Sequence, residues 1–168
     1  THHLLDSLAA VPPLRRHIAQ AGVATPVRLL DVGSGGGLPG VVFAICCPGV
    51  DVSCVDTVAK KAAFIQQAAA ALRLPNLHGI HARVESLAGP YDVVSCRDPD
   101  GAGGGAAQRG VWRARRGRPP RDELDALPAD VQVFHVEPLQ VPGLDAERCI
   151  VWMHPSSQRA AGQGGVVA

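Results

Sequence analysis

The sequence predicts an α/β fold, with a mostly parallel sheet and an antiparallel strand pair at its carboxyl end. Three observations predict it. A short apolar run (Val27, Leu29, Leu30, Val32) ends in glycines at alternate positions, Gly33, Gly35 and Gly37. Strand-like runs then alternate with helix-like ones as far as Cys96, and that alternation gives parallel strands joined by crossover helices. Residues 131–136 and 148–153 alternate in the manner of two further strands.

At 168 residues the chain is long enough for one domain. Its hydrophobic fraction of 46% fills a core, but with 4% aromatic residues the packing rests on Val, Leu, Ile and Ala. A net charge of +1 gives no global field toward nucleic acid. The five cysteines, Cys46, Cys47, Cys54, Cys96 and Cys149, form no Cys-x-x-Cys pair. That pattern argues for buried thiols in a reducing compartment and against a metal site. No apolar run has the length of a membrane span, and no signal peptide opens the chain. The expectation is a cytoplasmic monomer without metal or membrane contact.

Taken in order, Leu4, Leu5 and Leu8 share one helical face. Pro12-Pro13 is expected to break that helix, and residues 14–21 to form a second one that Gly22 stops. Residues 27–32 are the first strand. The glycines after it let the backbone turn tightly and let a ligand approach, because no Cβ intervenes. Pro39 and Gly40 suit the opening of the next helix, which ends at Pro48-Gly49. Residues 50–55 are a strand with Asp56 at its carboxyl end. Residues 58–73 then read as a helix, with Phe64, Ile65, Ala68, Ala69 and Leu72 at helical spacing. Lys60 and Lys61 fall in its first turn, the unfavourable end of the helix dipole for a cation. They are either two solvated lysines or a contact to RNA phosphate.

Residues 77–82 form a third strand, followed by Arg83-Val84-Glu85-Ser86-Leu87, and residues 91–96 a fourth with Arg97 at its end. The pattern fails at residues 98–121, which hold six arginines and a Gly-Ala-Gly-Gly-Gly run. Neither an amphipathic helix nor a buried strand is expected there. A segment that never packs is favoured over a basic RNA-contacting loop. Residues 155–168, rich in Ser, Gln, Gly and Ala, read as a flexible tail.

Spacing decides what the glycine loop serves. The dinucleotide pattern Gly-x-Gly-x-x-Gly fails from Gly33, because the sixth position is Leu38. From Gly35 its third glycine comes only after Pro39. Asp-x-Gly-x-Gly-x-Gly fits from Asp31 to Gly37, and looks like the first motif of Rossmann-like S-adenosylmethionine-dependent methyltransferases. An acid at the end of the next strand, Asp56, then suits ribose hydroxyls. In such a sheet the loop leaving the third strand lies beside the adenine, with Glu85 at the ring edge and Val84 packing on it. Gly33, Asp56, Glu85 and Arg97 all map to the carboxyl edge of the sheet. The bland alternatives are a glycine-rich turn without ligand and a surface glutamate.

Several segments together resemble the glucose-inhibited division protein B family, the bacterial 16S rRNA (guanine-N7)-methyltransferases. They are His3-Leu-Leu-Asp-Ser-Leu8, Leu30-Asp-Val-Gly-Ser-Gly-Gly-Gly-Leu-Pro-Gly40, Val55-Asp56 with Lys60-Lys61, Arg83-Val-Glu85, Ser95-Cys-Arg97 and Leu139-Gln-Val-Pro-Gly. The match runs over residues 2–97 and 122–154. It implies a Rossmann-like class I methyltransferase fold, S-adenosyl-L-methionine as cofactor, and 16S rRNA or the small ribosomal subunit as partner. By the same resemblance Gly33, Gly35, Gly37, Leu38, Val84, Glu85 and Arg97 contact the cofactor and Asp56 holds its ribose. Arg97, Lys60 and Lys61 are the residues that would face RNA. Residues 1–154 are then a single methyltransferase domain, without the helical segment that the family carries ahead of His3. The family also continues after Ser-x-Arg into a helix and a fifth strand ending in Lys-Gly. Here Asp98-Pro99 replaces that start, with a faint echo at Gly110-Val-Trp112. Two other readings remain: a degenerate member that binds the cofactor weakly without activity, and a nicotinamide-dependent oxidoreductase, which the glycine spacing disfavours. Because guanine N7 has no proton to lose, no acid–base dyad is expected and no catalytic residue is singled out.

Overall fold

A seven-stranded sheet carries the fold, in a computed structural model that describes residues 2–22, 24–96, 111–116, 131–141 and 148–155. Its strands are β1 (Val27–Val32), β2 (Val50–Asp56), β3 (Leu77–His81), β4 (Val93–Cys96), β5 (Val111–Arg116), β6 (Val131–Leu139) and β7 (Arg148–Pro155). They lie in the order β3-β2-β1-β4-β5-β7-β6. Neighbours from β3 across to β5 are parallel, while β7 runs antiparallel to both β5 and β6. The sheet is therefore mostly parallel with a closing antiparallel pair, as the alternation predicts. The chain steps outward from β1 to β3, then returns to the other side of β1. Strand order thus reverses between β1 and β4, which in open α/β sheets is where a crevice forms beyond the carboxyl ends.

Four α-helices occur among the described residues: α1 (His2–Ala9), α2 (Val11–Ala21), α3 (Gly40–Cys46) and α4 (Ala59–Ala71). Side chains of successive strand residues serve opposite faces of the sheet. Leu29, Val52, Ile150 and Trp152 join Leu14, Phe43 and Ile65 of the helices in one core. Leu30, Val55, Val94, Val151 and Met153 form the other. Burial on both faces is what central parallel strands require. Four of the five cysteines, Cys47, Cys54, Cys96 and Cys149, are buried, and Cys46 is half-buried. No described helix is long and apolar enough to cross a membrane.

Several elements differ from the sequence reading. The first helix does stop ahead of Pro12 and Pro13, at Ala9, but the second starts at Val11 rather than residue 14, with both prolines in its first turn. The N–H that proline lacks would find no partner within that turn, so proline is tolerated there. Gly22 does end α2, in the left-handed region with φ 59°. Leu4 and Leu8 stay exposed, while Asp6 on the same helix accepts from Arg148 Nε at 3.0 Å through its Oδ1. The fourth strand starts at Val93 rather than residue 91, and Tyr91 is buried beside it, under the Arg28 guanidinium.

The largest correction concerns residues 98–121, where no strand is expected. Val111–Arg116 is β5, inside the sheet, parallel to β4 and antiparallel to β7. Its backbone groups are taken up by strands on either side, which the composition of the segment does not reveal. The rest of that segment, Arg97 and the 156–168 tail lie outside the described residues.

Candidate functional site

The loop between β1 and α3 is shaped by glycine. Gly33, Gly35 and Gly37 have φ of 65°, 56° and 85°, a region that residues with a Cβ adopt only under strain. The loop is stitched to the end of β2, since the N–H groups of Gly33 and Ser34 both donate to Val55 O, at 2.9 and 3.3 Å. Beneath it lies Asp31, 1% exposed. One carboxylate oxygen accepts the Gly40 N–H at 3.0 Å and the other the Ser95 hydroxyl at 2.9 Å. Asp31 thereby ties the start of α3 to β1 and β4. Burial pushes the neighbouring Cys54 thiol well up, the Asp31 carboxylate adds to that, and the Ser34 hydroxyl draws it partly back.

Asp56 ends β2 and is 7% exposed. Its Oδ1 accepts the Val58 N–H at 2.9 Å and its Oδ2 the Gly35 N–H at 3.1 Å. The Lys61 ammonium stands 3.5 Å from Oδ2. Burial works to raise the Asp56 pKa, but the two N–H groups and the Lys61 charge outweigh it and hold the group below the ordinary aspartate value. Asp56 is thus an anion at neutral pH. The next wall comes from the end of β3. There the Ala82 N–H donates to Asp56 O at 3.3 Å, and a 3₁₀ turn, Val84–Ser86, follows. Glu85 on that turn is mostly exposed and faces Arg83 at 4.0 Å.

These pieces enclose a cleft of about 410 Å³ at the carboxyl edge, with Gly33, Asp56, Val58, Lys61, Val84 and Glu85 among its lining. Of the residues expected at the site, the structure therefore brings together Gly33, Asp56, Val84 and Glu85. Gly35 joins through its N–H to Asp56. Gly37 is packed near Val41 and Ile65, and Leu38 packs against the apolar core; neither lines the cleft. The two lysines separate: Lys60 is exposed and outside the cleft, whereas Lys61 lines it. Thr57, Ala82 and Arg83 also line the cleft without having been singled out. Their signal was position, just past the ends of the second and third strands.

A second cavity, of about 480 Å³, lies between α2 and the β6–β7 pair. His17 stacks there on Trp152 with centroids 4.4 Å apart, and burial lowers its pKa.

Comparison with known proteins adds the following. Residues 1–99 match the family model described as GidB, rRNA small subunit methyltransferase G. A ribosomal RNA small subunit methyltransferase G from Acidovorax sp. (strain JS42) is 70% identical over 166 residues, covering 92% of this chain and 74% of that protein. The protein of the same name from Paracidovorax citrulli (strain AAC00-1) is 65% identical over 180 residues, with 99% and 74% covered. Among solved structures, a SAM-dependent methyltransferase from Aquifex aeolicus superposes with a TM-score of 0.57 at 14% identity, over 83% of this chain and 87% of that one. Magnesium protoporphyrin IX methyltransferase from Synechocystis PCC 6803, with bound SAM, gives a TM-score of 0.58 at 17% identity, over 89% and 77%. At these identities the solved structures speak for the fold.

Proposed function

The chain belongs to the GidB family, the rRNA small subunit methyltransferases G, and on that premise we propose that it transfers a methyl group from S-adenosylmethionine to guanine N7 in 16S ribosomal RNA. The observation that carries the reading is the meeting of the glycine loop and the ionised Asp56 in one cleft beyond the carboxyl ends of β1, β2 and β3.

The residues present fit the cofactor. A Cβ at Gly33 would meet nothing within 4 Å, so the backbone is bare toward the cleft and a ligand can lie close to it. Asp56 offers a carboxylate to ribose hydroxyls, while Val32, Val55, Ala82 and Val84 give an apolar lining for an adenine ring. Glu85, on the 3₁₀ turn, is the candidate for the ring edge. Arg97, expected to contact either the cofactor or the incoming base, lies outside the described residues.

When bound, the cofactor supplies an electrophilic methyl on a sulfonium. Guanine N7 presents a free lone pair at neutral pH, so no residue of the chain has to take a proton. The protein's contribution is to hold the nucleoside end firmly and to bring the base into line with water excluded. Asp56 does its part as a fixed anion whose orientation is set by two backbone N–H groups. Because N7 faces the deep, narrow groove of an RNA helix, the target base sits in a loop or is turned out of the stack.

Calorimetric titration of S-adenosylhomocysteine tests the cleft. The chain is expected to bind, and Asp56→Ala to bind at least about tenfold more weakly, the scale of a hydrogen bond to a charged group. Tritiated methyl incorporation into small subunits or 16S rRNA tests the reaction. Binding without incorporation favours the degenerate-member reading. Tighter binding of NADH than of S-adenosylhomocysteine defeats the methyltransferase reading outright.

A further inference from the structure

Lys61 is placed more specifically than either reading open to it in the sequence. Its ammonium lies 3.5 Å from Asp56 Oδ2 inside the cleft lining. A group that meets Lys61 there meets the Asp56 carboxylate as well. Lys60, one residue earlier, is exposed and outside the cleft.

The geometry at Asp56 says what Lys61 can do. A carboxylate offers about four lone-pair positions. One on each oxygen is taken by a backbone donor, Val58 N–H at 2.9 Å and Gly35 N–H at 3.1 Å. At 3.5 Å, Lys61 stands farther off than the ~2.7–2.9 Å of a tight charged hydrogen bond. The pair is therefore loose on the side of the cleft. A hydroxyl group is both donor and acceptor. It can give its proton to Asp56 while its oxygen accepts from the Lys61 ammonium; a carbon bearing only hydrogen can do neither. The Lys61 side chain is 49% exposed and that of Asp56 6%. The cation can shift to meet a ligand while the anion stays fixed. Near the positive end of α4 a lone cation is disfavoured, and Asp56 offsets that.

We infer that Lys61 is a second ribose-reading residue, which with Asp56 forms a donor–acceptor pair for one hydroxyl of the cofactor's ribose. This rests on the cleft reading given above. The test titrates S-adenosylhomocysteine and its 2′-deoxy and 3′-deoxy analogues into the chain, into Lys61→Met, Lys61→Arg and Asp56→Ala. Thermal melting of each variant checks its fold. Lys61→Met is expected to weaken S-adenosylhomocysteine about tenfold yet to leave the analogue lacking the bridged hydroxyl within about twofold of its affinity for the parent chain. Lys61→Arg is expected to recover most of the loss. Equal weakening of all three ligands by Lys61→Met would make Lys61 a mere prop for Asp56 and overturn the inference; so would no weakening at all. If S-adenosylhomocysteine does not bind the parent chain, or binds Asp56→Ala equally well, the cleft reading itself falls and takes the inference with it.

Discussion

Asp31 and Asp56, two carboxylates at the carboxyl ends of adjacent strands, have separate tasks, set by what surrounds them. Asp31 is sealed beneath the loop, engaged by Gly40 and by the Ser95 hydroxyl. Asp56 is held by backbone donors and Lys61 at the wall of the cleft. The depressed pKa of Asp56 has a consequence for stability. Its anion favours the folded state at any pH above the unfolded aspartate value of about 3.9, and the contribution is lost as pH falls through the lower folded value. The stability difference between the chain and Asp56→Asn is therefore expected to stay constant from neutral pH to about 5 and to narrow below about 4. Denaturant titrations across that range measure it; a difference that shrinks already between pH 7 and 6 would contradict the assignment.

Among the elements, α3 is seated with no room to spare at its first residue. Gly40 opens it, and a Cβ there would overlap Cys54 Sγ and stand 2.9 Å from Asp31 Oδ2. Replacing a helical glycine by alanine ordinarily helps by up to about 1 kcal/mol. Here the packing reverses the sign. Gly40→Ala is expected to cost about 1–3 kcal/mol, the range for overpacking a filled site, read as a lower denaturation midpoint with an unchanged slope. The same logic explains Gly79 in β3, where a Cβ would run into the Ala62 carbonyl of α4. At the amino end, the Asp6–Arg148 bridge links α1 to β7. It is a buried link on the arginine side, with Arg148 7% exposed.

For the molecule as a whole, the site is a product of the parallel run of β1, β2 and β3, whose carboxyl ends share one edge. β1 and β2 are parallel neighbours, and the glycine loop that leaves one reaches the acid that ends the other. A ligand bound there selects the folded state. At a hundredfold excess over its Kd, S-adenosylhomocysteine adds about 2.7 kcal/mol, which for a domain of this size raises the melting temperature by roughly 5–10 °C. Differential scanning measures the shift, and Asp56→Ala is expected to abolish most of it. What the sequence by itself determined is the alternation of elements as far as Cys96, the reversed pair at the carboxyl end, and the placing of glycines and acid at one edge. These are local signals, since the 2.0 and 3.6 periodicities and the chemistry of glycine act within a few residues of themselves. Only the tertiary structure decided that Lys61 rather than Lys60 turns into the cleft, that Leu38 goes to the core, and that two prolines sit inside a helix. It also decided that Val111–Arg116 is a strand at all. The physical reasons differ. Lys61 and Asp56 are only five residues apart, but the turn between β2 and α4 decides which of two adjacent lysines faces the acid. The prolines are placed by where the second helix starts. Leu38 and β5 depend on partners distant in sequence, the apolar core for one and the open hydrogen-bonding edges of β4 and β7 for the other. No short window around Val111 contains the strands that pair with it.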